Sequence, residues 1–217
     1  MKPAKRRERE KEIQREKRRN QILDAARIFF RAKGFNGATI EDIAREAELS
    51  PATLYFYFKS KDEIYASINL RVIEHIIETL KKAYKVKGLN ASQKLESLRE
   101  ALYNMYKFDP QTLVNLIHVQ ANEQTGNLSE EVISETDRLS AQALKVMAGF
   151  FEDAIEEGIF HECDPIMLAD ILVSTFNGIV LWEESKKMRD PENSSIKATM
   201  DQAFDIFLRG NKKISVD

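Results

Sequence analysis

The stretch TIEDIAREAELSPATLYFYFKSKDEIY, residues 39–65, contains three helix starts and one tight turn. Thr39 can cap the first helix, and Asp42 three positions later makes the pair close to a capping box. The apolar residues that follow have the spacing of one helical face, and they are Ile40, Ile43, Ala44 and Ala47. The beginning of the stretch therefore predicts a short amphipathic helix.

A second short helix is predicted to begin at Pro51, because Ser50 offers a hydroxyl cap and proline suits the first helical position. Its inner side contains Pro51, Leu54 and Phe58. The outward side is small, hydroxylic and aromatic, and it contains Ala52, Thr53, Tyr55, Phe56 and Tyr57.

A third, longer helix is predicted from Ser60, which forms a complete capping box with Glu63. Its apolar positions are Ile64, Ile68, Val72, Ile76 and Leu80. Residues 17–33 add an earlier helix that ends at Gly34, and its apolar positions are Ile22, Ala26, Phe29 and Phe30. These patterns predict a three-helix helix-turn-helix unit, in which the second short helix enters the major groove and the first crosses the phosphates.

The longer segment GFNGATIEDIAREAELSPATLYFYFKSKDEIY, residues 34–65, closely resembles the N-terminal signature of the TetR family of bacterial regulators. The resemblance implies an all-α protein with an N-terminal three-helix helix-turn-helix DNA-binding domain. It also implies a C-terminal helical domain that binds a ligand and forms a homodimer. We place a basic arm at residues 1–16, the DNA-binding domain at 17–62, and the effector-binding and dimerisation domain at 63–217.

The resemblance implies a function as well. A homodimeric repressor would bind double-stranded DNA at an inverted-repeat operator and would be released by a small-molecule effector. Repression rather than activation rests on family analogy alone. The residues that match operator-contacting positions of the family are Thr39, Arg45, Thr53, Tyr55, Tyr57 and Lys61.

Different roles are expected within this set. We predict that Tyr55 reads bases, whereas Thr39 and the segment 50–53 offer hydroxyls and helix N-terminal amides to phosphates. Lys61 adds a cation for the same purpose. The predicted DNA-binding set also includes Ser50, Pro51, Ala52, Phe56, Lys59, Lys17, Arg18 and Arg19.

Three positions depart from the family pattern. Glu48 stands where the turn usually holds glycine, and a non-glycine residue at positive φ carries strain. Ala52 occupies a position that is often glycine, and Phe56 occupies one that is often polar or basic. Phe56 could contact a thymine methyl group or lie on the protein surface, as outward aromatic residues commonly do.

The charge distribution indicates that the N-terminal end is the nucleic-acid face. Residues 1–60 contain 15 basic and 9 acidic residues, whereas the whole chain contains 33 and 35. Much of the basic excess lies in residues 1–19, which we predict to be a frayed helix or a disordered arm. This arm could follow phosphates or enter a minor groove. It could also be a solvated tail, since four glutamates reduce its charge, namely Glu8, Glu10, Glu12 and Glu16.

Composition restricts the class of protein. A chain of 217 residues with 43% hydrophobic content can hold a small DNA-binding unit and a larger helical domain. A lone Cys163 excludes an internal disulfide framework, and the charged N-terminus does not resemble a signal peptide. We expect a cytoplasmic protein without a membrane span, because the longest apolar stretch, residues 171–182, is short. It is also interrupted by Ser174, Thr175, Asn177 and Gly178.

Beyond Tyr84, caps and apolar spacing predict further helices. One contains Leu95, Leu98, Leu102 and Met105, and the others run over residues 109–122, 129–157, 164–188 and 195–209. The last two have broad apolar faces, which two chains could bury in a four-helix bundle. We predict a homodimer interface formed by Leu172, Phe176, Ile179, Val180, Met200, Phe204 and Phe207. The alternative is that both helices are internal core.

The interior of the second domain could be a dry core or a pocket for a largely apolar effector. A few polar or amphipathic side chains would orient such a guest. The candidates are His75, Tyr103, Tyr106, Asn115, His118, Asn122, Phe150, Asn177 and Trp182. Each could instead be a satisfied core residue or a surface residue.

An enzyme is the rival class, and the residues do not assemble one. His161 and Cys163 lie beside Asp164, but no second ligand pair follows at metal spacing, so we expect neither metal nor cofactor. No phosphate-binding glycine loop or nucleophile elbow is present in the sequence. A protein that binds DNA without sequence choice remains an alternative.

Overall fold

The computed structural model describes residues 3–110, 113–114, 117, 130–190, 192 and 195–213. The helices in this part of the chain are α1 Pro3–Gly37, α2 Ile40–Glu46, α3 Pro51–Tyr57, α4 Lys61–Tyr84, α5 Ala91–Phe108, α6 Glu130–Glu156, α7 Pro165–Arg189 and α8 Ile196–Asn211. Within the same ranges the backbone forms no strand, and Phe160 and Lys212 make an isolated antiparallel bridge. The predicted all-α fold is confirmed.

Two compact units divide the chain, and the division falls inside α4, between Arg71 and Val72. The first unit contains residues 3–71 together with residues 130–135 at the start of α6. The second contains the remaining described residues from Val72 onward. The domain border predicted from the sequence, at residues 62 and 63, lies in the first turn of α4.

The core of the first unit joins α1, α2, α3 and the beginning of α4. Leu54 and Phe58, the predicted inner residues of the second short helix, are almost completely buried. Pro51, predicted to lie on the same inner side, is exposed. The other buried side chains of this core include Ile22, Leu23, Ala26, Phe30, Ile43, Ile64 and Ile68.

The long helix α1 includes the predicted basic arm. Residues 3–16 are helical and continue without interruption into the segment that packs on the domain core. Gly34 has φ 69° and ψ 174°, so the regular helix stops where the sequence predicted, before one last turn to Gly37. The side chains of residues 5–18 are exposed.

The core of the second unit joins the rest of α4 with α5, α6, α7 and α8. The predicted inner residues of α5 are all buried, and they are Leu95, Leu98, Leu102 and Met105. Large rings fill the centre, with Phe150, Phe151 and Phe160 almost inaccessible to solvent. The helices predicted over residues 129–157, 164–188 and 195–209 correspond closely to α6, α7 and α8. Most of the helix predicted over residues 109–122 lies outside the described residues.

Helix α7 matches the helix predicted over residues 164–188, including the polar residues that interrupt its apolar stretch. Ser174, Thr175, Asn177 and Gly178 do not interrupt the helix, and the Thr175 hydroxyl donates to the Ile171 carbonyl at 2.8 Å, as helical hydroxyls can. The resulting helix of 25 residues is long and apolar enough to cross a membrane by length and composition alone. Core helices of soluble proteins meet the same test, and 28% of its most apolar stretch is buried.

The predicted dimer interface also needs correction. Leu172, Phe176, Val180, Met200 and Phe204 are each at most 7% exposed, so they hold the core of their own chain. Ile179 and Phe207 are partly buried against the same core. The apolar residues that α7 and α8 expose are different ones, namely Ile166, Met167, Ile171, Trp182, Met188 and Ile206.

Candidate DNA-binding site and effector cavity

The N-terminus of α2 is held by its predicted cap. The Thr39 hydroxyl accepts a hydrogen bond from the Asp42 N–H at 3.1 Å. The Asp42 carboxylate is paired with the Lys33 ammonium at 2.8 Å and with the Arg45 guanidinium. The hydrogen bond from Lys33 lowers the pKa of Asp42 below its usual value. Arg45 is therefore aligned along α2 while most of its side chain stays open to solvent.

Helix α3, the predicted reading helix, has the cap that the sequence predicted. The Ser50 hydroxyl accepts from the Thr53 N–H at 3.1 Å, and the two hydroxyls are 2.8 Å apart. Beyond this cap, Tyr55 is 53% exposed and Phe56 is 74% exposed. Tyr57 is half-buried and packs edge-on against Phe56. The most accessible part of α3 is thus aromatic, as expected.

The turn between α2 and α3 contains the predicted backbone strain. Glu48 has φ 53°, in the left-handed region that glycine occupies more easily. The Leu49 N–H donates to the Ala44 carbonyl at 2.8 Å, which closes the turn. From α1, the Gln21 amide donates to the Ala47 carbonyl at 2.8 Å. This side chain anchors the turn and was not predicted.

Arg19 stabilises the end of α3. Its guanidinium donates to the Tyr57 carbonyl at 2.7 Å and lies 4.1 Å from the centre of the Phe58 ring. A helix terminus leaves carbonyl groups without intrahelical partners, and Arg19 satisfies one of them. We predicted that this residue would contact DNA, and in the structure its described contacts position α3.

Lys61 has a similar structural role. Its ammonium donates to the carbonyls of Phe35 and Ala38 at 2.8 and 3.1 Å, and it lies 4.4 Å from the centre of the Phe35 ring. It therefore fixes the start of α4 against the segment between α1 and α2. Both anchors join residues more than twenty positions apart, so local patterns could not reveal them.

The remaining predicted DNA contacts lie on the outside of the first unit. Lys17, Arg18 and Lys59 are exposed, and Arg18 donates to the Gln21 side chain at 2.8 Å. Thr39, Ser50, Ala52 and Thr53 are exposed as well. The exposed residues of the first unit therefore include hydroxyl and cationic groups as well as the aromatic side chains of α3, a combination suited to phosphate contacts.

The second unit contains a cavity of about 310 Å³. Its described walls come from α4, α5, α6 and α7, with Leu113 and Ile117 between α5 and α6. Apolar residues dominate, and the polar ones are Ser140, Asp170, Ser174 and Asn177. Of the effector candidates, Asn177 belongs to this wall.

The other effector candidates in the described part of the chain lie elsewhere. His75 stacks on Phe108 with ring centres 3.8 Å apart, and Phe150 is buried next to Tyr84. Trp182 is 60% exposed.

Two tyrosine candidates are engaged with charged groups of the second unit. Tyr106 donates to Glu184 at 2.5 Å, and burial, then this hydrogen bond, raises the pKa of the phenol. Tyr103 lies under the ammonium groups of Lys107 and Lys197. The candidates Asn115, His118 and Asn122 lie outside the described residues.

His161 and Cys163 make local contacts. A ring nitrogen of His161 lies 3.0 Å from the Asn211 carbonyl oxygen, and the Cys163 thiol donates to the His161 carbonyl at 3.3 Å. Over the described ranges, no group of three potential metal ligands comes together.

Comparison with known proteins agrees with this geometry. Residues 22–68, which include α2, α3 and the start of α4, match the family described as bacterial regulatory proteins, tetR family. The chain is 26% identical over 181 residues to the HTH-type transcriptional regulator YhgD of Bacillus subtilis (strain 168). That alignment covers 81% of this chain and 89% of YhgD.

A second relative has a regulatory description. The chain is 23% identical over 136 residues to IcaR of Staphylococcus aureus (strain Newman), the negative transcriptional regulator of the biofilm operon icaADBC. The alignment covers 63% of this chain and 70% of IcaR.

The fold is also similar to that of a solved regulator. The structure of FadR from Bacillus subtilis in complex with stearoyl-CoA has a TM-score of 0.66 to this chain at 20% identity. It covers 88% of this chain and 97% of that one.

Proposed function

This chain belongs to the TetR family of bacterial transcriptional regulators, and we propose that it is a homodimeric repressor released from an inverted-repeat operator by a small molecule. The observation that carries the proposal is the exposed aromatic face of α3, supported by caps and anchors at both ends. The description of IcaR as a negative regulator supports repression.

Selection from a pool of random duplexes tests the DNA-binding part of this proposal. We expect enrichment of an inverted repeat, because two identical reading helices related by twofold symmetry contact equivalent half-sites. If the protein retains duplexes but enriches no sequence among them, it binds DNA without sequence choice, and the repressor proposal is wrong.

Tyr55 is proposed as a base reader. The variant Tyr55→Ala should relax the base preference at one position of each half-site, since the side chain is exposed and its removal leaves the core intact. Lys61→Ala serves as the contrast. Because that ammonium binds two backbone carbonyls, its loss should lower the stability of the first unit rather than change which bases are selected.

The homodimer is proposed to form through the exposed face of α7 and α8. On α7, Met167, Ile171, Gly178 and Trp182 recur at helical spacing on one side. Ile206, 62% exposed, adds an apolar residue from α8. Isolated surface apolar residues are ordinary, but several exposed apolar residues on one side of α7, together with Ile206 on the adjacent α8, favour a bundle interface between identical chains.

The effector is proposed to bind in the cavity of the second unit, and the lining suggests its chemistry. The walls contributed by α4 and α5 are apolar, whereas Asp170, Ser174 and Asn177 follow one another on one side of α7. Among the described lining residues, Asp170 is the one with an ionisable side chain. A largely apolar molecule with a cationic or hydrogen-donating end would complement this arrangement.

Three ligands with the same ten-carbon chain test this chemistry, namely decylamine, decanol and decanoate. We expect decylamine to raise the melting temperature of the purified protein most and to release the selected operator. The variant Asp170→Asn should remove the preference for the amine over the alcohol. A preference for decanoate would contradict the proposed charge of the effector, while the selection experiment on DNA would be unaffected.

A further inference from the structure

The first part of α1 is a charged helix that extends beyond the folded core of the first unit. Residues 5–19 contain nine basic residues and four glutamates. Their side chains are exposed up to Arg18, and the first buried residue of α1 is Ile22. We call residues 3–18 the helical arm.

Part of the positive charge of the helical arm is ordered into a stripe. Arg7, Lys11, Arg15 and Arg18 are separated by four, four and three residues, so they lie on one face of the helix. Four residues later the same face reaches Ile22, which is buried in the core beside α2 and α3. The basic stripe therefore lies on the side of α1 where the two DNA-facing helices pack.

The base of the helical arm is attached to the reading helix. Arg19 holds the Tyr57 carbonyl at the end of α3, and Gln21 holds the Ala47 carbonyl in the preceding turn. Because the arm is continuous with this anchored segment, it extends from the first unit in one direction while the helix is intact. Ordering the arm on DNA then costs little conformational entropy.

Resting on the proposed function, we propose that the helical arm lies along the phosphate backbone next to the half-site read by α3. An α-helix with side chains is about 10–12 Å across and the minor groove is about 6 Å wide, so the helix cannot enter that groove. From Arg7 to Arg18 the helix rises about 16 Å, which corresponds to about five base pairs at 3.4 Å each. The arm would extend each end of the footprint by about that length.

Two variants with equal loss of charge test this proposal. The first, Arg7→Gln/Lys11→Gln/Arg15→Gln, removes three cations of the basic stripe. The second, Lys5→Gln/Arg6→Gln/Arg9→Gln, removes three cations from the opposite side of the same helix. Binding of the full-length protein is measured as a function of salt on the selected inverted repeat, once with ten flanking base pairs on each side and once with none.

The wild-type protein should bind the flanked duplex more tightly and with a steeper salt dependence than the duplex without flanks. The stripe variant should lose that difference, with the slope reduced by about 0.9 for each phosphate contact removed. The control variant should retain it. Both variants should bind the duplex without flanks with similar affinity, since α3 is unchanged.

Equal losses in the two variants would overturn the proposal, because they would indicate attraction by net charge rather than by an ordered face. No loss in either variant would show that the arm does not touch flanking DNA. In both cases, retained binding to the duplex without flanks would leave the proposed function standing. Gln14→Pro provides a further check, since it keeps every charge but breaks the helix; the flank effect should disappear, and its survival would contradict a helical arm.

Discussion

Glu48 determines the shape of the turn between α2 and α3, and it does so in a conformation that suits glycine better. With φ 53°, its β-carbon is close to a backbone carbonyl. Glu48→Gly should raise the free energy of unfolding by about 0.5–1 kcal/mol, because relief of this strain exceeds the added entropy of the unfolded chain. Urea-induced unfolding followed by circular dichroism would measure the change.

A matched substitution separates strain from the loss of a glutamate side chain. Glu46 is an exposed residue of helical conformation two positions earlier. Glu46→Gly should lower the free energy of unfolding by about 0.5–1 kcal/mol, as glycine does in helices. If both variants shift stability in the same direction, backbone strain at Glu48 is not the cause.

The same residues show what the sequence could and could not predict at this scale. The caps from Thr39 and Ser50 involve partners three positions away, so the sequence predicted both correctly. The anchors from Arg19 and Lys61 depend on which distant carbonyls the fold brings near. Local patterns therefore could not reveal these contacts, and phosphate binding by Arg19 and Lys61 stays a prediction.

At the scale of elements, Glu183 connects α7 to α8. Its carboxylate accepts from the Thr199 hydroxyl at 2.8 Å and from the Ser195 N–H at 3.1 Å, so it caps α8, whose own residue Ser195 makes no side-chain cap. The Lys186 ammonium lies 2.5 Å from the same Glu183 carboxylate. Burial favours the neutral acid, but the hydrogen bonds from Lys186, Thr199 and Ser195 outweigh it and lower the pKa of Glu183.

We therefore expect Glu183→Gln to destabilise the protein at neutral pH, by on the order of 2–3 kcal/mol. The contribution of a carboxylate with a lowered pKa is complete above its ordinary value of 4.5 and is lost as the pH falls through the folded value. The difference between wild type and variant should thus shrink in acid. Unfolding measured from pH 3 to pH 7 tests this, with the exposed Glu162→Gln as control; a constant difference would point to shape rather than charge.

Helix bounds were predicted well because caps and apolar spacing are local signals. The apolar side of α7 that was predicted to face a second chain is instead buried in the core of its own chain, for a physical reason. This helix has apolar residues on opposite sides, with Leu172 and Val180 buried and Ile171 and Trp182 exposed. Periodicity alone cannot tell which of two apolar sides meets the core of the same chain, so only packing against α8 and the other helices decides it.

At the scale of the whole molecule, the exposed side of α7 predicts how assembly can be disrupted without unfolding. Ile171 and Trp182 are 47% and 60% exposed in the single chain. Ile171→Glu/Trp182→Glu should therefore leave helix content and melting of the second unit nearly unchanged. The pair should nevertheless convert the proposed dimer to a monomer, because four carboxylates would meet across the proposed twofold interface and lose their solvation there.

Light scattering after size-exclusion chromatography would measure the mass of the double variant. We also expect the double variant to bind the selected operator far more weakly, because a monomer presents only one α3 helix. Met188→Glu is the matched control: Met188 is 84% exposed on the same helix but lies off the strip formed by Met167, Ile171, Gly178 and Trp182. Its dimer should persist. By contrast, Phe204→Ala should cost about 3–5 kcal/mol of stability, since that ring belongs to the core of its own chain. If Ile171→Glu/Trp182→Glu stays dimeric, the interface lies on another surface, and the assignment of α7 and α8 to it is wrong.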